Sequence, residues 1–168
     1  MAAAIHIILT GGTIEKAYDP LTEKPEFKKQ SIIPNYFESV ILAYPDLTFE
    51  TVSQIDSVHM TEEVRGKVLS AVQNAPCQNI LVIHGTSTMP DTARYLEDHL
   101  KDTDKTVILT GAMIPLKEFA MSDGGFNLGY AIASVQSAPA GVHLSMNARL
   151  FNAKDVLKNT EIGRFEVG

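Results

Sequence analysis

The chain has little of what would point to disulfides, nucleic acid or membrane. Its single cysteine, Cys77, excludes an internal disulfide framework, and a lone thiol is what a reducing compartment permits. Basic residues are the minority: 14 Lys and Arg against 20 Asp and Glu give a net charge of −6. Nucleic-acid affinity rests largely on cations that neutralise phosphates, so no nucleic-acid partner is expected. No polybasic run suggests a membrane surface, and no long hydrophobic run is present. The start, MAAAIHIILTGG, has no Lys or Arg ahead of an apolar stretch that carries His6. It fails as a signal peptide and is too short to span a bilayer. The expectation is a soluble cytoplasmic protein. Nucleotide and hydrolase signatures are missing as well: there is no G-x-G-x-x-G, no phosphate-binding G-x-x-x-x-G-K-[ST] and no G-x-S-x-G elbow. The histidines at 6, 59, 84, 99 and 143 have no ligand-like spacing, so neither metal nor organic cofactor is expected.

What is present is an ordinary globular composition, 45% apolar and 20% charged over 168 residues. This length fits one domain spanning 1–168 that can bury a core without staples. Apolar runs at Ala4–Thr10, Asn79–His84, Thr106–Thr110 and Gly141–Met146 read as strands, with Thr48–Ser53 as a fifth. Helical patterns lie between them. Thr61 caps one, Thr88 and Pro90 open a second, Ser122 opens a third through Val135, and Asn35–Leu42 makes a fourth. This alternation predicts an α/β fold: an open, doubly wound, mainly parallel sheet of the Rossmann or flavodoxin type, layered as a three-layer sandwich. Glu15–Ile33, with two prolines and many charges, reads as a long functional loop.

Ligands of open parallel sheets bind beyond the carboxyl ends of the strands. Three exits there carry glycines flanked by hydroxyls: Thr10-Gly11-Gly12-Thr13, His84-Gly85-Thr86-Ser87-Thr88 and Thr110-Gly111-Ala112-Met113. Any one could be a tight turn; three together point to a small-molecule site. Hydroxyl nucleophiles, Thr13 or Thr86, are the remaining chemistry, and they need a base. Lys105, just before a buried strand, could serve if burial strips water from its ammonium; a solvated surface lysine is the plainer alternative. His84 reads as a buried strand-end residue.

These residues resemble the bacterial L-asparaginase family, which writes the three exits as TGGTI, HGTDTM and TGAM followed by SDG and NL. Here they stand as Thr10–Ile14, His84–Met89 and Thr110–Met113, with Ser122-Asp123-Gly124 and Asn127-Leu128. Asp56-Ser57 with Met60-Thr61 is similar to a fourth, substrate-binding segment, and the likeness runs on through Asn159 and Gly163–Glu166 to short-chain members. The resemblance implies hydrolysis of the side-chain amide of L-asparagine, or weakly of glutamine or a related small amide, to the acid and ammonia. In that picture Thr13 is the nucleophile, Tyr18 (or its neighbour Lys16) activates it from a mobile lid, and Thr86 with Lys105 forms the second catalytic pair. Substrate contacts fall to Gly12, Asp56, Ser57, Gly85 and Ser87, and backbone N–H groups near Gly12 and Thr86 hold the oxyanion.

Three departures matter. The family's HGTDT aspartate, implied to hold the substrate ammonium, is Ser87 here, and the loss of such a charge costs roughly 2–5 kcal/mol in a buried pair. Gly125 replaces a proline and is expected to affect helix entry. Val58 replaces a polar neighbour of Ser57. The alternative to an active enzyme is therefore a small-amide or amino-acid ligand-binding, or weakly active, homologue. Longer family members carry a second domain, which this reading expects to be missing. Tyr130, Ile132 and Val135 are expected to support a homodimer or higher homo-oligomer.

Overall fold

The computed structural model describes residues 4–117 and 120–168; the first three residues of the N-terminal stretch discussed above lie outside them. Five parallel strands form the sheet: β1 (Ile5–Gly11), β4 (Leu47–Ile55), β5 (Asn79–Ile83), β6 (Thr106–Thr110) and β7 (Gly141–Met146). An antiparallel strand, β8 (Arg149–Asn152), closes one edge, giving the spatial order β4-β1-β5-β6-β7-β8. The parallel part reverses direction between β1 and β5. That is the flavodoxin-like order with its switch point at the centre, as the alternating pattern predicts.

The core explains why these segments are strands. Ile80, Val82, Val107 and Leu109 point to one face, Leu81, Ile83 and Ile108 to the other, and all are fully buried. Helices α2 (Glu62–Asn74) and α3 (Met89–His99) cover the first face through Val68, Val72, Met89, Ala93 and Leu96. Helix α4 (Gly124–Val135) covers the second through Leu128, Ala131 and Val135. The predicted cap is present: the Val64 N–H donates to Thr61 Oγ1 at 3.3 Å. The Asn35–Leu42 pattern is realised as a short turn, α1 (Ile33–Asn35), that widens into a π-helix at Tyr36–Ile41. No described helix is long and apolar enough to cross a membrane.

Two expectations change. Val135 is 1% exposed and belongs to the core, so it offers nothing to a second subunit; Phe126, 62% exposed, is the large apolar side chain that α4 presents outward. The long loop is also structured. After a 3-10 turn at Thr13–Glu15, strands β2 (Lys16–Asp19) and β3 (Lys24–Phe27) pair as an antiparallel flap, with Tyr18 opposite Pro25. The turn holds because Asp19 Oδ1 accepts the Leu21 N–H at 2.9 Å and Glu23 takes a left-handed conformation, φ 56°. Beyond β8 the chain adds a second small hairpin, β9 (Val156–Asn159) with β10 (Arg164–Val167), which buries Val156 and Phe165 against the first core.

Candidate active site

The exits of β1 and β5 meet at the switch point, and glycine makes the meeting possible. Gly12 has φ 86°, and a Cβ there would lie 2.5 Å from the Cα of Gly85. A Cβ on Gly85 would in turn lie 2.6 Å from Ser57 Oγ. Three turns are thus packed in close contact, which brings the Thr13, Ser57 and Thr86 segments together at the carboxyl end of the sheet, the candidate crevice. The flanking hydroxyls mostly lace the sheet: Thr10 Oγ1 donates to Ile83 O and Thr110 Oγ1 to Ser145 O, both at 2.8 Å. Thr88 Oγ1 donates to Ser57 O at 2.7 Å, holding the Ser57 turn against the start of α3.

Within the crevice, Ser57 is buried, and its Oγ accepts the Ser87 N–H at 3.1 Å. The Ser87 side chain itself is exposed. Thr86 Oγ1 donates weakly to Met113 Sδ at 3.4 Å and accepts a hydrogen bond from Lys158 Nζ at 2.8 Å. Lys158 stands on β9 and forms no ion pair among the described residues; burial pushes its ammonium below the ordinary lysine range. Gly12 N–H donates to Ile55 O at 2.9 Å, so Gly12's own amide is already engaged within the sheet.

Lys105 requires a correction. It precedes β6 at the amino end of the strands, opposite the crevice, and its ammonium donates to Ala75 O at 3.0 Å and Cys77 O at 3.3 Å. The geometry brings Lys158 to Thr86 instead. The available signal was the VLKN segment just ahead of Gly163-Arg164-Phe165-Glu166. The rule placing ligands at the carboxyl ends also argues against a lysine that introduces a strand.

The flap contributes Lys16 and Tyr18. Lys16 Nζ pairs with Asp56 Oδ2 at 2.9 Å and lies 5.1 Å over the Phe27 ring, which ties the flap to the segment bearing Ser57. Asp56 thus holds the flap, and Lys16 is committed to it. Tyr18 is 43% exposed on the same strand. His84 is fully buried, its Nδ1–H donates to Gly85 O at 2.7 Å, and desolvation holds its pKa down at about 4. It is a neutral brace for the Gly85 turn, in agreement with the sequence reading. Among the described residues no cluster of His, Cys, Asp or Glu could hold a metal ion.

The third motif proves to be a brace as well. Asp123 accepts N–H groups from Met113 and Ile114 at 3.0 Å each and the Asn127 amide at 3.0 Å. Asn127 donates to Gly111 O and accepts the Asn147 N–H. The Asp123→Ala variant should therefore lose about 2–4 kcal/mol of stability in urea titrations, with an unchanged m-value, because three donors lose a charged acceptor. At Gly125 a Cβ would come within 2.7 Å of the Tyr36 hydroxyl, so the departure noted there affects packing beside the helix entry.

The fold defines a doubly wound α/β protein whose candidate site sets Thr86 against Lys158 at the switch point of the sheet. The family model for the N-terminal part of asparaginases matches residues 4–164. The probable periplasmic L-asparaginase of Haemophilus influenzae is 33% identical over 164 residues, covering 93% of this chain and 46% of that protein. L-asparaginase 2 of Escherichia coli K12 is 31% identical, covering 96% and 49%. The solved L-asparaginase I of Vibrio cholerae superposes with a TM-score of 0.86 at 25% identity, over 99% of this chain and 52% of that one. The chain belongs to the asparaginase family. It spans about half the length of the curated relatives it matches.

Proposed function

We propose that the chain hydrolyses the side-chain amide of L-asparagine, or a closely related small amide, through a threonine acyl-enzyme. The observation that carries this reading is the Lys158–Thr86 contact of 2.8 Å at the switch-point crevice where Thr13 also stands. Thr13 Oγ attacks the amide carbonyl carbon, the C–N bond breaks, and the nitrogen leaves as ammonia after gaining a proton. Water then cleaves the ester and restores the threonine. Lys158, favoured toward its neutral form by burial, can take a proton from Thr86 and relay it. Tyr18, on the flap strand that follows the Thr13 turn, is the hydroxyl assigned to activate it, and its neighbour Lys16, paired with Asp56, is the alternative.

Rapid quench of the protein with L-asparagine, followed by peptide mapping, tests the assignment. The acyl group is expected on the peptide bearing Thr13; finding it on Thr86 would reverse the two threonines' roles.

A second reading, a ligand-binding or weakly active homologue, is favoured by one observation: position 87 presents a neutral serine at the crevice. Self-association belongs to the same proposal, with the exposed Phe126 of α4 as its candidate contact. A single monomeric species in sedimentation velocity would remove it.

A further inference from the structure

The chemistry above leaves Glu15 unused, although it lies two residues from Thr13 and is only 1% exposed. Its Oε1 accepts a hydrogen bond from Ser31 Oγ at 2.6 Å. Its Oε2 is buried with no partner among the described residues. A buried, half-satisfied carboxyl is costly for the fold, and an apolar side chain there would cost less. The Glu15–Ser31 pair brackets the flap. β2 starts at Lys16, directly after Glu15, and Ser31 is where the chain returns after β3, sixteen positions on. Ser31 Oγ also accepts the Ile33 N–H at 3.2 Å, which anchors the return to α1.

We propose that Glu15 is the clasp of the β2–β3 flap and a positioning residue for the crevice, tying the flap's return at Ser31 to the Thr13–Glu15 turn. The flap then has two fastenings of different kinds. Lys16–Asp56 holds it over the Ser57 segment with a half-buried ion pair, and Glu15–Ser31 fixes its root inside the protein. A short hydrogen bond at the root constrains the flap's angle, because any error there grows toward Tyr18. Glutamine at 15 keeps the Oε1 acceptor and should keep the clasp; alanine removes it.

Amide hydrogen exchange over residues 16–31, read beside ammonia release from L-asparagine, tests the clasp in the full chain. Glu15→Ala and Ser31→Ala should each speed exchange of the flap amides by about tenfold, and the double variant by no more than either alone. Glu15→Gln should stay within about twofold of wild type. In the kinetic arm, which rests on the amidohydrolase reading, kcat should fall about tenfold in both alanine variants with KM nearly unchanged, and Glu15→Gln should restore it. Wild-type flap exchange in folded Ser31→Ala, or effects that multiply in the double variant, would overturn the clasp. Faster flap exchange in a protein that releases no ammonia would support the clasp and overturn the amidohydrolase reading instead.

Discussion

Replacing Lys158 with methionine should lower kcat/KM for L-asparagine by about 10²–10⁴-fold, the usual contribution of a positioned acid or base. Lys105→Met should leave it within about twofold of wild type. The first figure corresponds to roughly 3–5 kcal/mol of transition-state stabilisation. Methionine keeps most of the apolar stem, so Val156 and Phe165 on the same small hairpin remain packed and the loss reflects the amine. Lys158 is suited to the role because it is 2.8 Å from Thr86 and has no carboxylate to hold its proton among the described residues. Lys105 serves the other end of the sheet, where its ammonium satisfies two carbonyls of the α2–β5 connection. Its loss should appear in stability by about 1 kcal/mol, not in turnover.

Ser87→Asp should raise kcat/KM for L-asparagine by about 10- to 100-fold. The upper end of the cost of a missing charge partner applies to buried pairs, and the Ser87 side chain is exposed, so the smaller part of that range applies here. The control is succinamate, the same amide without the α-ammonium, which should gain nothing. Equal gains for both would mean that the new carboxylate acts on Lys158 or on the turn; no gain for either would remove the ammonium account and leave Ser87 unexplained. The substitution has room, since the Ser87 backbone alone is engaged, through its N–H to Ser57 Oγ.

Glu15 makes stability itself depend on pH. Burial raises its pKa to about 7, against the hydrogen bonds from Ser31 and Gly11, which lower it. The folded chain therefore keeps a proton that the unfolded chain releases between its ordinary carboxylate range and about pH 7. That stabilisation is present in acid and lost as pH rises through about 7, a change on the order of 3 kcal/mol. Urea titrations at several pH values should show Glu15→Gln gaining on wild type by this amount between acid and mildly alkaline solution; parallel curves would mean that Glu15 is solvated.

The centre of the sheet is legible because its strands are buried on both faces, so NILVI and TVILT read as continuous apolar runs. The glycine exits were legible for a related reason: backbone packed on backbone at Gly12 and Gly85 admits no other residue. The flap was not, because KAYD and KPEF are short, charged and interrupted by proline, and pair only with each other. The β7–β8 hairpin hid similarly. Its two-residue turn uses Asn147 and Ala148 at φ 54° and 60°, where a glycine signal would be usual. With those late elements hidden, Lys158 on β9 has no place in space at the level of sequence, and Lys105 is the lysine that closeness to a strand along the chain offers. Distance along the sequence says nothing about which end of a strand a side chain occupies.

Ammonia release from L-asparagine by the purified chain, measured side by side for wild type, Thr13→Ala and Lys158→Met, tests the central claim most directly. The account predicts measurable release by wild type, with both variants lower by at least about 100-fold. Equal rates in all three, or none in any of them across asparagine, glutamine and simple amides, would contradict it.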